Sequence, residues 1–106
     1  MLPGVDEKVD LSGEWIGHYP GHFDEVIRIT QVGDTVEAVK VTGDDYVPAE
    51  AVTWRANVRS GLGEGQVAER GFRNPRFLPG KLMVLNRDRI VFVWAAAGKV
   101  EYRRDD

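Results

Sequence analysis

Ala51-Val52-Thr53-Trp54-Arg55-Ala56-Asn57-Val58-Arg59 decides the fold class. Val52, Trp54, Ala56 and Val58 fall on one side of an extended chain, and Thr53, Arg55, Asn57 and Arg59 on the other. A period of two belongs to a half-buried strand, because successive side chains leave opposite faces of a sheet. Lys99 to Arg104 alternates in the same way, with Val100 and Tyr102 set against Lys99, Glu101 and Arg103. Phe23, Ile27 and Ile29 share a face, and Val36 to Thr42 is rich in β-branched residues. Ile90 to Ala96 is apolar on both faces, as a strand covered on each side would be.

Turn residues punctuate these runs. Gly33-Asp34 is a tight hairpin signal, Asn86-Arg87-Asp88 reads as a second short turn, and Ala97-Gly98 as a third. The pattern predicts about eight strands, over 12–19, 24–32, 35–42, 51–59, 63–68, 80–85, 89–97 and 99–104. No stretch of helical length carries an apolar stripe. At most one helical turn is expected, around 48–51 or 66–70. Eight short antiparallel strands in a chain this small point to an all-β protein, a small β-barrel that is lipocalin-like in outline. Closure removes exposed sheet edges. An open sandwich is the alternative.

The length of 106 residues indicates a single domain spanning 1–106, with residues 1–10 and 105–106 expected to fray. With no cysteine, the chain has no disulfide, thiolate chemistry or Cys-ligated metal. The net charge of −3 lacks the concentrated positive face that nucleic-acid binding needs, although Arg70, Arg73 and Arg76 form a local basic group. The start of the chain has neither the basic residues nor the apolar run of a signal peptide, and no apolar run approaches membrane-spanning length. The expectation is a cytoplasmic monomer that binds neither nucleic acid nor membrane.

Val41-Thr42-Gly43-Asp44-Asp45-Tyr46-Val47-Pro48-Ala49 breaks a strand with a glycine, two carboxylates and a proline. A stiff loop that holds acids beside an aromatic ring reads as a recognition edge. Gly13-Glu14-Trp15 opens the first strand and, with Arg103 or Arg104 over the indole, resembles the barrel-closing pair of lipocalin-type folds. His18 and His22 flank a turn, and Asp24 or Glu25 would complete a metal set, but hydrogen-bonding or surface roles are commoner for such histidines, and no metal is expected. His22 and Glu25 would also suit acid–base chemistry, yet no nucleophile accompanies them: Ser12 and Ser60 lie outside any elbow motif. Gly61-Leu62-Gly63-Glu64-Gly65 lacks the Gly-Lys-Ser/Thr ending of a phosphate loop, so its glycines read as sites of close backbone approach or a bulge. Gly71-Phe72-Arg73-Asn74-Pro75-Arg76-Phe77 reads either as a rigid crossover anchored by two phenylalanines or as a rim offering Asn74 and an arginine. Trp94 packs in the core by default and alternatively floors a pocket.

Taken in order, Gly17-x-Tyr19-x-Gly21-His22-x-x-Glu25-Val26, Lys40-Val41-Thr42-Gly43-Asp44-x-x-Val47-Pro48-Ala49, Gly63-x-Gly65-x-x-Ala68-x-x-Gly71-Phe72-x-Asn74-Pro75 and Phe92-Val93-Trp94 resemble the domain shared by F-box only protein 31 and the EXECUTER proteins. The likeness covers roughly residues 13–104. It implies a barrel-like recognition domain. In the F-box protein such a domain selects substrates, cyclin D among them, and reads C-terminal tails, notably amidated ones. In EXECUTER proteins the related region takes part in singlet-oxygen sensing. By position His22, Glu25, Thr42, Asp44, Pro48, Phe72, Asn74 and Trp94 match the family motif, and our own reading takes His22, Glu25, Thr42, Asp44, Phe72, Asn74 and Trp94 as candidate ligand-binding residues. Gly13, Trp15, Gly43, Pro48, Gly71 and Pro75 are candidate structural ones. No F-box motif is read here, so a free-standing version is expected. Phe23 and Glu50-Ala51 depart from the family pattern of Gly after the His and Gly-Gln after Pro-Ala.

The expected function is a cofactor-free, non-enzymatic module. It binds a short peptide C-terminus, with an amidated end as the case the resemblance suggests, or a similar small amide at the barrel edge. The alternative is a sensor barrel, responding to singlet-oxygen-type redox chemistry or to a small hydrophobic ligand.

Overall fold

A computed structural model describes residues 9–18, 24–95 and 98–105. Its eight strands are β1 (Gly13–His18), β2 (Glu25–Val32), β3 (Thr35–Lys40), β4 (Val52–Asn57), β5 (Leu62–Glu69), β6 (Arg73–Asn86), β7 (Arg89–Trp94) and β8 (Gly98–Arg104). Each pairs antiparallel with its sequence neighbour, and β1 pairs with β8 to close the barrel. The all-β barrel read from the alternation is therefore the fold, and no helix occurs among the described residues. The expected turn at 48–51 is present as one Ala51 N–H to Pro48 O bond, whereas 66–70 falls largely within β5. Tyr19 and residues 96–97, read as strand ends, lie outside the described residues, as do residues 1–8 and 106 of the predicted frayed ends. Val9 packs against the core, and the Asp105 N–H donates to Glu14 O.

The barrel interior is aromatic. Trp54 stacks on Phe92 at 4.7 Å, Phe92 meets Trp94 edge-on at 4.8 Å, and Trp54 Nε1 donates to Tyr102 Oη at 3.2 Å. Rings this large fill a narrow barrel only if the facing positions are small. A side chain at Gly65 would place its first carbon 2.2 Å from Trp94 Nε1, and one at Gly80 would lie 2.4 Å from Phe92. The glycines of 61–65 thus include positions where an indole lies directly against backbone, as the sequence suggested.

One end of the barrel is plugged. Trp15 is fully buried, its Nε1 donates to Leu11 O, and the Arg104 guanidinium lies 4.4 Å over its ring. Arg104, rather than Arg103, takes that place, and it also donates to Asp10 O, Ser12 O and Arg87 O.

The largest departure from expectation is β6. The stretch 71–77 was read as crossover or rim, with a strand only at 80–85. Instead β6 runs from Arg73 through Asn86. Pro75 and Pro79 do not break it, because β6 pairs with β5 from Arg73 to Lys81 while the β6–β7 ladder begins at Gly80↔Trp94. The first half of β6 thus has an edge facing away from β5, and an edge tolerates the missing N–H of proline. Pro79 O still accepts from Ala95 N at 2.9 Å. The β5–β6 hairpin consequently stands beyond the barrel wall, and the molecule is elongated, 46 × 27 × 24 Å.

Candidate functional site

The end of the barrel opposite Trp15 holds the site, and the alternation of β3 builds it. Val36, Ala38 and Lys40 all point inward. The last of these is a lysine, 3% exposed. A buried ammonium costs several kcal/mol unless it is paired. Lys40 Nζ lies 3.0 Å from Glu25 Oε1, which β2 also turns inward, and 2.6 Å from Asp44 Oδ2. Glu25 is itself buried, and Oε1 receives no well-aligned hydrogen bond despite the short charge contact. Burial pushes the Glu25 carboxyl above the ordinary range, against the pull of Lys40 and with a further push from Asp44.

The loop after β3 is organised around Asp44. Its Oδ1 accepts from Tyr46 N at 2.8 Å and Val47 N at 2.7 Å, a turn in which the aspartate side chain imitates backbone. Asp44 N donates to Val47 O. Burial would raise the Asp44 carboxyl, but the bonds from Lys40, Val47 and Tyr46 outweigh it and hold it below the ordinary value. Gly43 has no room for a side chain, since its first carbon would fall 2.3 Å from Ala49 N. Thr42 Oγ1 accepts Val26 N at 3.0 Å and ties the base of the loop to β2.

The tip of the β5–β6 hairpin folds onto this loop. Gly71 N donates to Asp45 O at 2.7 Å, and the Arg70 guanidinium faces the Tyr46 ring at 5.8 Å. Between loop, hairpin and the start of β8 lies a cleft of about 270 Å³. Lys40, Asp44, Thr53 and Gln66 give it polar walls, while Val47, Val67, Val100 and Trp94 give it apolar ones, and Lys99 stands at its rim.

Of the candidate ligand residues, Asp44 and Trp94 line the cleft, and Glu25 sits behind Lys40. Trp94 is only 7% exposed. Thr42 serves the loop base. Phe72 and Asn74 are at the hairpin tip and do not line the cleft; the Asn74 amide donates to the Glu69 carboxylate, and both residues have left-handed backbone, with φ of 56° and 50°. His22 lies outside the described residues. His18 Nδ1 and Asp24 Oδ1 form an exposed pair at 2.8 Å, and the described residues contain no cluster of three metal-ligating side chains. Among the structural candidates, Gly13 and Trp15 belong to the plugged end. Gly43 and Pro48 lie in the Asp44 loop, Gly71 at the hairpin tip and Pro75 in β6. Sequence reasoning passed over Lys40, Thr53 and Gln66. For Lys40 the signal was present, because a charged residue continued the inward phase of Val36 and Ala38.

The chain is similar to known proteins. The family model described as cyclin D1 binding domain matches residues 5–62 and 57–104. Protein EXECUTER 1, chloroplastic, of Arabidopsis thaliana is 41% identical over 123 residues, covering 81% of the chain and 18% of that protein. Protein EXECUTER 2, chloroplastic, of Oryza sativa subsp. japonica is 31% identical over 107 residues, covering 72% of the chain and 17% of that protein. The chain therefore spans less than a fifth of the length of these relatives. Their names correct one expectation: the matched relatives are chloroplastic proteins, which points away from the cytoplasm and towards the chloroplast.

Proposed function

The chain belongs to the cyclin D1-binding domain family, shared with EXECUTER proteins, and from that premise we propose that it is a non-enzymatic recognition module whose barrel-mouth cleft takes the C-terminus of a protein partner. The family is named for binding a protein, and its relatives EXECUTER 1 and 2 span the same domain. The observation that carries the reading is that Asp44 and Trp94 line one cleft. Trp94, Val67 and Val100 would cover the last side chain, while Asp44, Thr53 and Gln66 would meet the polar end group.

Asp44 favours an amide over an acid end, and the geometry limits how. A carboxylate has about four acceptor positions. Tyr46 N and Val47 N occupy two and Lys40 Nζ a third, which leaves one on Oδ2. That position accepts one N–H of a terminal amide and repels a terminal carboxylate, so exclusion contributes as much as attraction. Glu25 is poorly placed as a general base, since it is buried against an ammonium.

The test is a library of random hexapeptides made in two forms, amidated and free acid, screened against the wild-type chain and Asp44→Asn. The reading expects amidated tails to bind more tightly and Asp44→Asn to narrow the difference. Equal binding of both forms would sink it. A second reading, a redox sensor, has one observation in its favour: Trp94 lines the cleft and is joined ring to ring with Phe92 and Trp54. Selective photo-oxidation of Trp94 that altered partner binding would favour it, and an inert Trp94 would remove it.

A further inference from the structure

Three charges meet at the cleft, and only Asp44 among them was assigned a part in the ligand contact. Lys40 bridges Glu25 on β2 and Asp44 on the loop, and it lines the cleft itself. Among the described residues Glu25 Oε1 is buried without a well-aligned hydrogen-bond donor, and the Lys40 ammonium is the cation beside it. We propose that Glu25 and Lys40 set the charge of the cleft and so decide which end group it accepts. With Glu25 ionised, the cluster of two carboxylates and one ammonium carries one net negative charge and turns away a terminal carboxylate. With Glu25 neutral, Lys40 and Asp44 balance and the cleft tolerates either end. This rests on the C-terminus reading and names the residues that regulate it.

Among the described residues, these charged groups surround Glu25. From β3 it faces Lys40 and from the loop Asp44; Lys99 of β8 stands at the cleft rim, and the exposed His18–Asp24 pair lies at the adjoining ends of β1 and β2. Lys99 is exposed, so water and salt screen it, whereas the Glu25–Lys40 contact is shielded. Glu25 changes charge above the ordinary carboxylate range, because burial is the largest influence on it. A terminal carboxylate of a peptide titrates lower than an ordinary glutamate. The Glu25 event therefore lies above the tail's own titration on the pH axis.

The experiment takes the tightest-binding amidated hexapeptide from the library and its free-acid twin, and measures both affinities from about pH 5 to about pH 8. The amide-to-acid affinity ratio should rise by about threefold to tenfold with pH in the wild type, the size expected of one screened unit charge several ångströms away. In Glu25→Gln, which keeps the shape of the side chain, the ratio should be flat and close to the low-pH wild-type value. A wild-type ratio that favours the amide but stays flat overturns this inference and leaves the C-terminus reading intact. Failure of both end forms to bind at any pH overturns both. Carboxyl NMR of the unliganded chain gives a check that needs no ligand: the Glu25 titration should move the Tyr46 and Val47 amide signals in the same step, and still signals would overturn the proposal. A cooperative melting curve for Glu25→Gln shows that the variant is folded, and Glu25→Met serves as the second uncharged variant.

Discussion

The Lys40 ammonium sits 2.6 Å from the Asp44 carboxylate in a barrel mouth where Lys40 itself is 3% exposed. That contact joins the rigid wall to the loop that shapes the cleft. Removing the cation leaves Glu25 and Asp44 facing each other without compensation. Lys40→Met is therefore expected to cost about 3 kcal/mol of stability at neutral pH, the size usual for breaking a buried pair from one side. The loss should shrink at a second, more acidic pH, as Glu25 takes up a proton above its ordinary value. Urea denaturation at the two pH values checks this, and an equal loss at both would show that the charges are not the cause.

The two carboxyls shift in opposite directions, so their pH signatures differ in sign. Burial raises Glu25, which favours its neutral form in the fold. Its contribution is complete below the unfolded value and is lost as pH rises through the folded one. Asp44 is held low: burial would raise it, but the Lys40, Val47 and Tyr46 bonds prevail. Its contribution is present above the unfolded value and is lost as pH falls through the folded one. Stability measured from about pH 3 to about pH 8 should thus lose its acid limb in Asp44→Asn and its upper limb in Glu25→Gln.

Gly65 gives way to Trp94 and has no other visible role. A methyl there would meet Nε1 at 2.2 Å, with ring carbons at 2.4 and 2.8 Å. An indole stacked into a filled barrel cannot slide by that amount without moving Phe92, its neighbour at 4.8 Å. Gly65→Ala should destabilise by about 1–3 kcal/mol or more, as overpacking does. Trp94 would be pushed towards the cleft, and its fluorescence should redden. A blue-shifted or unchanged spectrum with intact stability would contradict the packing described here.

Much of this was legible in the chain. The alternation in 54–57 and 99–104 set the strand faces, and the turn at Gly33-Asp34 connects β2 to β3 as read. Thr53, however, expected on the outer face, is buried and lines the cleft where the β3–β4 register shifts between Ala38 and Val39. The loop 41–49 was recognisable from its chemistry. What could not be read was the pairing of β6. Pro75 and Pro79 argue against a central strand by local rules, and only the hairpin's reach beyond β7 makes them compatible with one. Phe72 and Asn74 were grouped with the site because their motif neighbours were. Tertiary geometry puts them at the hairpin tip, where they shape a turn. Lys40 was missed for a different reason. Its phase was inward, but a charged residue at a strand end is ordinarily solvated, and nothing local signals that two carboxylates will come to meet it.

At the plugged end, Arg104 combines a cation over an indole with bonds to backbone carbonyls. It lies 4.4 Å over Trp15 and donates to Asp10 O, Ser12 O and Arg87 O, tying the N-terminal segment and the β6–β7 turn to the end of β8. Lysine would keep the charge and part of the ring contact but cannot reach several carbonyls with a planar fork. Arg104→Lys should therefore lose more than half of what Arg104→Ala loses, with the latter costing about 2–3 kcal/mol from the lost bonds and ring contact together. Among the described residues the acidic neighbours of Arg104 are Asp88, at 3.6 Å and mostly exposed, and exposed Asp10, whose carboxyl is lowered by its bonds with Ser12 and also by the Arg104 charge. The cost should accordingly be nearly the same in low and high salt, because carbonyl bonds and ring contacts beneath a shielded guanidinium are weakly screened. Chemical denaturation of the two variants at low and at about 1 M salt decides it. A stability loss that vanishes in salt would transfer the role of Arg104 from the backbone and Trp15 to Asp88 and Asp10.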